Sequence, residues 1–179
     1  RTRTGSKTSE PLRRGPGASP AAWVLRYARL RMAILDRAVG IDLGTTNSEI
    51  AWLPPAEREI VIYADKFGRK TVPSALAWDE KTSAFVVGHA ARQKRGTVHP
   101  PIESIKRKMG QKTKVKVGAS ELSPEEVSSK ILGELAARMR ETLAARKTEG
   151  AELRATRAVI TVPAYFDAPQ VEATRRAGE

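Results

Sequence analysis

The feature that most constrains the fold is a long amphipathic segment. Residues 123–126 read SPEE, which places a Ser cap, a Pro in the first turn and a Glu at the third helical position. Apolar residues then recur every four positions, with one more beside them: Val127, Ile131, Leu135, Met139, Leu143 and Leu132. This pattern predicts a helix whose apolar stripe belongs to a hydrophobic core, and contact with a partner's groove is the alternative.

Short apolar segments make up much of the remaining pattern. Helices are predicted at residues 89–95 and 102–109, each followed by a glycine. Strands are predicted at residues 38–43, 48–53, 60–63, 74–78, 84–87 and 157–162. The last of these is a continuous apolar run of the buried kind, preceded by a linker around residues 148–150. Strands mixed with crossover helices predict an α/β fold.

The positive charge of the chain is concentrated at its start. Of the net charge of +12, residues 1–37 supply +7 and the rest of the chain only +5. Tyr, Phe and Trp number three each and are scattered, so no aromatic stacking platform lies between basic residues. Nucleic-acid binding, the usual expectation for so basic a protein, is therefore the weaker hypothesis.

Residues 1–37 are predicted to be a basic extension, disordered or weakly helical, of a domain that spans residues 38–179. Residues 1–20 contain too few apolar groups to offset the entropy of ordering, and residues 21–37 show a weakly amphipathic, Arg-rich pattern. The extension is either sequence translated upstream of a start at Met32 or a transit peptide. The first interpretation predicts a cytoplasmic protein, and the second predicts a mitochondrial one.

Several chemistries are excluded or disfavoured by composition. The sequence has no cysteine, which excludes disulfides, thiolate zinc sites and a cysteine nucleophile. No apolar run approaches the roughly 18 residues of a membrane span, so no membrane contact is predicted. Neither His89 nor His99 has a second potential ligand at metal-binding spacing in the sequence, so we interpret both as structural.

The turn between the first two predicted strands is the best candidate for a binding site. Residues 41–48 read IDLGTTNS. Gly44 has no Cβ to keep a phosphate away from the backbone, and Asp42 could hold Mg²⁺ through water. The next three residues supply amide N–H groups and short donors for an anion-binding nest: Thr45, Thr46 and Asn47. From spacing alone, an ordinary hairpin turn capped by Asp42 is an equal alternative.

These residues resemble a known family. AVGIDLGTTNS, at residues 38–48, is similar to the first phosphate motif of the heat-shock protein 70 (DnaK-type) chaperones, members of the actin-like ATPase superfamily. Three more segments resemble this family in the same order: GRKTVPS at 68–74, SIKRKMG at 104–110 and AVITVPAYF at 158–166. Sugar kinases and actin-like filament proteins share the turn but lack the last two segments. The resemblance implies a partial lobe I of an actin-like (ribonuclease H-like) ATPase, with a mixed sheet and flanking helices.

The resemblance also implies roles at matching positions. Lys106 would place its ammonium beside the attacking water and the γ-phosphate, and Asp42 would orient magnesium-bound water. Thr45 and Thr46 would contact the phosphates of ATP or ADP, in a nucleotide-binding turn completed by Gly44 and Asn47. Phosphoryl transfer depends mainly on such positioning and charge neutralisation. From spacing alone, Lys106 would instead lie on a solvated basic helix face.

One position departs from the family pattern. After the VPAYF segment, these chaperones usually place an Arg at the position of Val171, and that Arg acts with the preceding Pro in relaying nucleotide state to the peptide-binding domain. Here Pro163 is kept and the Arg is absent. Pro169 replaces a small residue, which is harmless if Asp167 caps the next helix. The sequence therefore predicts a weakened allosteric relay through Pro163 and Val171.

The family pattern implies further parts and partners. The second phosphate motif, the adenosine-binding segment, the other active-site carboxylates and the peptide-binding domain would all follow Glu179, so the chain alone is expected to be inactive. Unfolded peptides, a J-domain co-chaperone and a nucleotide-exchange factor are the implied partners. The competing hypotheses are a small-molecule kinase or filament protein of the same superfamily, and a basic RNA-binding module.

Overall fold

The computed structural model describes residues 33–54, 59–146 and 151–179, and the predictions for residues 1–32 and the linker at 148–150 lie outside this part. The strands are β1 (Ala33–Asp42), β2 (Asn47–Trp52), β3 (Val61–Ile62), β4 (Val72–Pro73), β5 (Ala75–Asp79), β6 (Ala84–Val87), β7 (Ile102–Glu103), β8 (Val115–Val117), β9 (Ser120–Leu122) and β10 (Ala151–Thr161). The helices are α1 (His89–Arg92), α2 (Pro124–Ala145) and α3 (Ala168–Ala177), with a 3₁₀ helix at Ile105–Lys108. The predicted α/β architecture is confirmed.

Helix α2 begins where the capping box predicts. The Ser123 hydroxyl accepts a hydrogen bond from the Glu126 amide at 3.2 Å, and the Glu126 carboxylate accepts one from the Ser123 amide at 2.7 Å. These two bonds satisfy amides that have no partner within the helix. The predicted apolar stripe of α2 is buried along its whole length, which confirms its place in the core.

The first two strands form the predicted hairpin. β1 and β2 pair in antiparallel register, with Asp42 opposite Glu49 next to the turn. Val39 and Ile41 of β1 are buried, whereas Gly40 and Asp42 between and beyond them are exposed. β1 is therefore buried on one face only, because side chains alternate along a strand. Asp42 lies on the exposed side of this half-buried strand.

The described strands pair in three sheets. The sheet that contains the hairpin has the order β10–β1–β2–β3, and β4 also pairs with β2. A second sheet has the order β6–β5–β7, and β8 with β9 forms a short hairpin. Helix α1 packs on β5 through buried alanines: Ala75, Ala77 and Ala91. Helix α2 contacts β2, β5, β10, α3 and the 3₁₀ helix, so it lies at the centre of the core.

The segment predicted as a helix at residues 102–109 is a strand followed by a 3₁₀ helix. Ile102 and Glu103 pair with β5, and the backbone turns at Ser104, whose φ of 57° is in the left-handed region. Sheet pairing therefore prevails over the helical pattern in the first residues. The helix predicted at 89–95 likewise stops at Arg92, and a series of turns leads to Gly96.

The last strand is longer and more exposed than predicted. β10 spans Ala151–Thr161, and Val159 is 66% exposed. The prediction of a buried strand was wrong because, among the described residues, β10 lies at the edge of its sheet with β1 as its neighbour. Leu153 is the member of β10 that is buried in the core with α2. β1 begins at Ala33, five residues earlier than predicted.

The end of the chain confirms a prediction about capping. Asp167 precedes α3, and its carboxylate accepts a hydrogen bond from the Gln170 amide at 2.9 Å. Pro169 lies in the first turn of α3, where its missing N–H has no use inside the helix. None of the helices in the described ranges has the length and apolar character needed to cross a membrane.

The capping box gives a first test of the fold. Ser123→Ala is expected to lower the free energy of unfolding by about 1 kcal/mol, because it leaves a first-turn amide of α2 without an acceptor. Chemical denaturation followed by circular dichroism measures this loss. Ser129→Ala is the matched control, because Ser129 is exposed in the interior of α2 and Ala is the better helix former. Equal losses in both variants would contradict the capping role.

Candidate functional site

The turn between β1 and β2 requires a glycine at position 44. A Cβ built on Gly44 would lie 2.0 Å from the carbonyl oxygen of Asn47, far inside any possible contact. The turn itself therefore excludes a side chain here, a stronger reason than the approach of a ligand. The amides of Thr45 and Thr46 donate to no acceptor among the described residues. A tight turn with free amides has the form of an anion-binding nest.

Ser74 fastens this turn to the neighbouring strand. Its hydroxyl donates to the Gly44 carbonyl at 2.8 Å, and its amide donates to the Thr46 carbonyl at 2.9 Å. Because a hydroxyl carries one proton, the 2.8 Å contact between the hydroxyls of Ser48 and Ser74 has Ser48 as the donor. Both serines are buried. The GRKTVPS segment thus ends in Ser74, which fixes the position of the turn.

Lys106 is buried in the 3₁₀ helix. Its residue is 7% exposed, whereas the flanking Arg107 and Lys108 are exposed. Burial lowers the pKa of the Lys106 ammonium from its usual range, and the nearby Asp42 carboxylate opposes this shift. Within the described part of the chain, the ammonium has no hydrogen bond or ion pair. The solvated basic face considered for Lys106 from spacing alone is wrong.

Two residues of the SIKRKMG segment, Met109 and Gly110, fix the 3₁₀ helix that contains Lys106. Met109 follows the helix, is buried, and accepts a hydrogen bond from the Ser128 hydroxyl of α2 at 3.3 Å. Gly110 has a φ of 76° and lies so close to the first turn of α3 that a Cβ would be 3.3 Å from its backbone. These contacts fix the 3₁₀ helix between α2 and α3. Lys106 is therefore positioned by the core and not by solvent.

Residues of the AVITVPAYF segment complete the arrangement. The hydroxyl of Thr161, the last residue of β10, donates to one carboxylate oxygen of Asp42 at 2.6 Å. The ring of Phe166 lies 5.6 Å from the Lys106 ammonium, within the range of a cation–π contact. All four segments that carry the family resemblance thus meet around Asp42 and Lys106. Thr46 and Asn47 are exposed, so the turn is open to solvent on one side.

Of the two positions predicted to take part in an allosteric relay, Pro163 lies in the segment between β10 and α3 and Val171 lies within α3. Pro163 is half-buried, and its carbonyl accepts a hydrogen bond from the Phe166 amide at 3.1 Å. Val171 is 42% exposed on α3 and lines a groove with Ile160 and Val162. Arg175, one turn further, is paired with Glu172 and Glu179. Arg175 would therefore have to leave these carboxylates in order to take the place of the missing Arg.

The two histidines lie away from these residues. His99 contacts the Glu80 carboxylate at 2.9 Å. Nε2 of His89 is buried without a hydrogen-bond partner in the described ranges and borders a groove of about 800 Å³. None of the residues predicted to bind nucleotide lines that groove. In the described ranges, no group of three or more His, Cys, Asp or Glu residues is arranged to hold a metal ion.

Comparison with known proteins finds one family and several relatives that this chain resembles. The family model "Hsp70 protein" matches residues 38–120 and 111–179. The chaperone protein DnaK of Thermosipho melanesiensis is 43% identical over 143 residues, 80% of this chain and 22% of that protein. DnaK of Thermosipho africanus is 43% identical over 144 residues, with the same shares. DnaK of Mesomycoplasma hyopneumoniae is 42% identical over 141 residues, 79% of this chain and 22% of that protein.

These matches show that the chain belongs to the Hsp70 protein family. They confirm the predicted actin-like fold class and the chaperone relationship, and nothing in them favours the kinase, filament or RNA-binding alternatives. The chain spans about a fifth of the length of these relatives. Functions that depend on the whole protein are therefore treated as proposals below.

The sequence motifs predict candidate site residues but not the groups that hold them in place. Ser74, Thr161 and Phe166 lie inside quoted segments, yet no role was predicted for them. A buried Ser in a short apolar strand is a usable signal, because a buried hydroxyl needs a partner. No comparable signal marks Thr161 or Phe166, since their partners are distant in sequence and chosen by packing.

The glycine requirement gives a test of the turn. Gly44→Ala is expected to lower the free energy of unfolding by roughly 1–3 kcal/mol, because the new methyl group would overlap the Asn47 carbonyl. Gly40→Ala is the matched control in β1, the strand that leads into the turn, since no atom lies within 4 Å of a Cβ built there. Thermal denaturation of both variants measures the difference. Indistinguishable midpoints would show that the turn is looser than described.

Proposed function

We propose that this chain forms part of the ATP-binding and ATP-hydrolysing domain of a chaperone that assists protein folding. The observation that carries the proposal is Lys106, a buried cation that has no anionic partner in hydrogen-bond contact among the residues that the structure describes. Burying an unpaired charge is costly, so such residues persist mainly where a ligand supplies the opposite charge. The free amides of Thr45 and Thr46 point to the same kind of ligand, an anion such as the phosphates of ATP or ADP.

The roles proposed for the residues follow from their positions. Thr45 and Thr46 bind phosphate oxygens with their amides and hydroxyls, in a turn that Gly44 and Asn47 complete. Lys106 stabilises the negative charge that develops during phosphoryl transfer and orients the attacking water. Phe166 and the core around Met109 keep bulk water away from the ammonium. Catalysis here is positioning and charge neutralisation by groups held before the nucleotide arrives.

Asp42 is the proposed contact for magnesium. One carboxylate oxygen is held by Thr161, and the other has no partner among the described residues. A single free carboxylate oxygen fits Mg²⁺ bound through water, because this ion keeps several of its waters. When bound with the nucleotide, Mg²⁺ supplies charge neutralisation at the phosphates.

The remaining proposals concern the whole protein. We propose that ATP hydrolysis controls the capture and release of unfolded peptides by a separate domain, with a J-domain co-chaperone and a nucleotide-exchange factor as partners and a cytoplasmic location. The domain boundary at residue 38 remains a prediction. The chain alone is expected to bind ATP weakly, because its turn is open on one side.

Lys106→Met separates catalysis from folding. In the full-length protein, loss of the charge is expected to slow ATP hydrolysis by about 10²- to 10³-fold, while nucleotide binding changes little. Single-turnover hydrolysis and calorimetric titration with ATP measure the two effects. Lys108→Met is the matched control, because Lys108 is exposed two residues further along the same helix. Equal hydrolysis rates in wild type and Lys106→Met would overturn the proposed role.

The same variant gives a pH prediction. Because the pKa of Lys106 is lowered on folding, the folded protein holds this proton less tightly than the unfolded chain, so the residue costs stability at neutral pH. Lys106→Met is therefore expected to be at least as stable as wild type at pH 7. Its advantage should fade as the pH rises toward the usual lysine pKa of 10.5, where both states become neutral. A variant less stable than wild type at pH 7 would contradict this account.

Val171 is proposed to weaken the coupling between nucleotide and peptide. An Arg side chain offers five donors and a charge for a two-state interface, whereas Val171 offers neither. Allosteric coupling energies are typically about 1–3 kcal/mol, so one charged contact can account for much of the signal. The exposure of Val171 leaves room for a longer side chain.

Val171→Arg is therefore expected to increase the stimulation of ATP hydrolysis by peptide, from a weak effect in the wild-type full-length protein. Steady-state hydrolysis with and without an unfolded peptide measures the ratio. Val171→Gln is the control, because it adds length and polarity without charge. If the wild-type protein, Val171→Gln and Val171→Arg respond equally, this position carries no coupling.

A further inference from the structure

Arg92, which lies outside the four segments that resemble the family, connects the turn between β1 and β2 with the strand that leads to Lys106. Arg92, at the end of α1, donates from Nη2 to the Thr46 carbonyl at 2.8 Å. Its Nε donates to the Glu103 carboxylate at 3.0 Å. The side chain is 27% exposed, so it lies mostly against the protein. One rigid guanidinium therefore binds both the phosphate turn and the strand that leads to Lys106.

The contact with Thr46 fixes the direction of a peptide group in the turn. The Thr46 carbonyl accepts from the Ser74 amide as well as from Arg92, so it is held by two donors. In a planar trans peptide the C=O and N–H bonds point in opposite directions. Holding the Thr46 carbonyl therefore also sets the direction of the Asn47 amide, one of the donors predicted for the nest.

The contact between Arg92 and Glu103 can also affect the position of Lys106, because the short segment between Glu103 and Lys106 has little conformational freedom. Glu103 pairs with Ala75 of β5, directly after Ser74, which holds the turn. The next residue, Ser104, has a φ of 57°, and Lys106 follows two positions later in the 3₁₀ helix. Because a left-handed residue and a tight helix leave little freedom, a shift of Glu103 would be passed on to Lys106.

We propose that Arg92 is a positioning residue that keeps the phosphate-binding turn aligned with Lys106. This inference rests on the proposed ATPase function. The planar fork of Arg suits the task, because it holds two acceptors at once in a fixed geometry. Arg92 itself is placed beside the turn and not in contact with the phosphates.

Arg95 provides an internal control for this proposal. Its guanidinium donates three hydrogen bonds of 2.7–3.0 Å to the same Glu103 carboxylate, and it has no hydrogen bond to the turn. Removing either arginine therefore weakens the anchoring of Glu103, but only removal of Arg92 frees the Thr46 carbonyl from its side-chain donor. A purely structural role would make the two arginines equivalent.

The test compares substitutions of both arginines in the full-length protein. Arg92→Gln is expected to lower kcat for ATP hydrolysis by about tenfold, because small misplacements of catalytic groups have large effects on rate. Arg95→Gln is expected to stay within about twofold of wild type. Arg92→Lys keeps the charge but not the fork, so its kcat should lie between those of Arg92→Gln and wild type. If Arg92→Gln does not fold, Arg92→Lys against Arg95→Lys gives the same comparison.

A second measurement does not depend on activity. The Ser74 amide donates to the same Thr46 carbonyl as Arg92, so its hydrogen exchange in nucleotide-free protein should be about fivefold faster in Arg92→Gln than in Arg95→Gln, as expected for the loss of one hydrogen bond from this network. The same kcat and the same exchange in both Gln variants would overturn the positioning role while leaving the ATPase function intact. A wild-type protein that does not hydrolyse ATP would overturn the proposed function and this inference together.

Discussion

Burial of one face of the β1–β2 hairpin beneath α2 determines where the candidate site lies. Ile41, Leu43 and Ile50 share a core with the apolar stripe of α2. Since side chains alternate along a strand, placing Ile41 and Leu43 inside forces Asp42 to the other face. A slip of one residue would bury the carboxylate and expose the core residues. Burial of Ile41 and Leu43 thus also sets the direction of the Asp42 side chain.

The site is assembled at a cost to folding. Lys106 lies in a short 3₁₀ helix that Met109 anchors beneath α2, and its ammonium is removed from water without a hydrogen-bonded counter-charge. An apolar side chain of the same size would satisfy this environment better. A side chain that is less stable in its environment than an apolar one would be is typical of functional residues. The same holds for Gly44, which gives up conformational entropy so that the turn can close against the Asn47 carbonyl.

Polar contacts between distant segments complete the site. Ser74 is 30 positions from Gly44, and Thr161 is 119 positions from Asp42, yet each pair is joined by one short hydrogen bond. Arg92 adds a third connection, from α1 to the turn. Each of these groups holds a residue that is proposed to bind nucleotide, without itself belonging to the turn. The arrangement explains why four separated segments of sequence are needed to define one small site.

The sequence by itself determined the elements with strong local patterns: the capped helix α2, the hairpin around Gly44, strand β6 and the cap at Asp167. Local hydrogen bonds and the periodicity of apolar residues are written in neighbouring positions, so they can be predicted without the fold. Through a family resemblance, it also predicted that Lys106 and Asp42 both belong to the nucleotide site. Only the tertiary structure decided that Lys106 is buried, that Ile102 and Glu103 form a strand, that β10 is exposed along much of its length, and that Ser74, Thr161 and Arg92 support the turn. These outcomes depend on which distant segments pack together, and burial and long-range hydrogen bonds have no signature in local sequence.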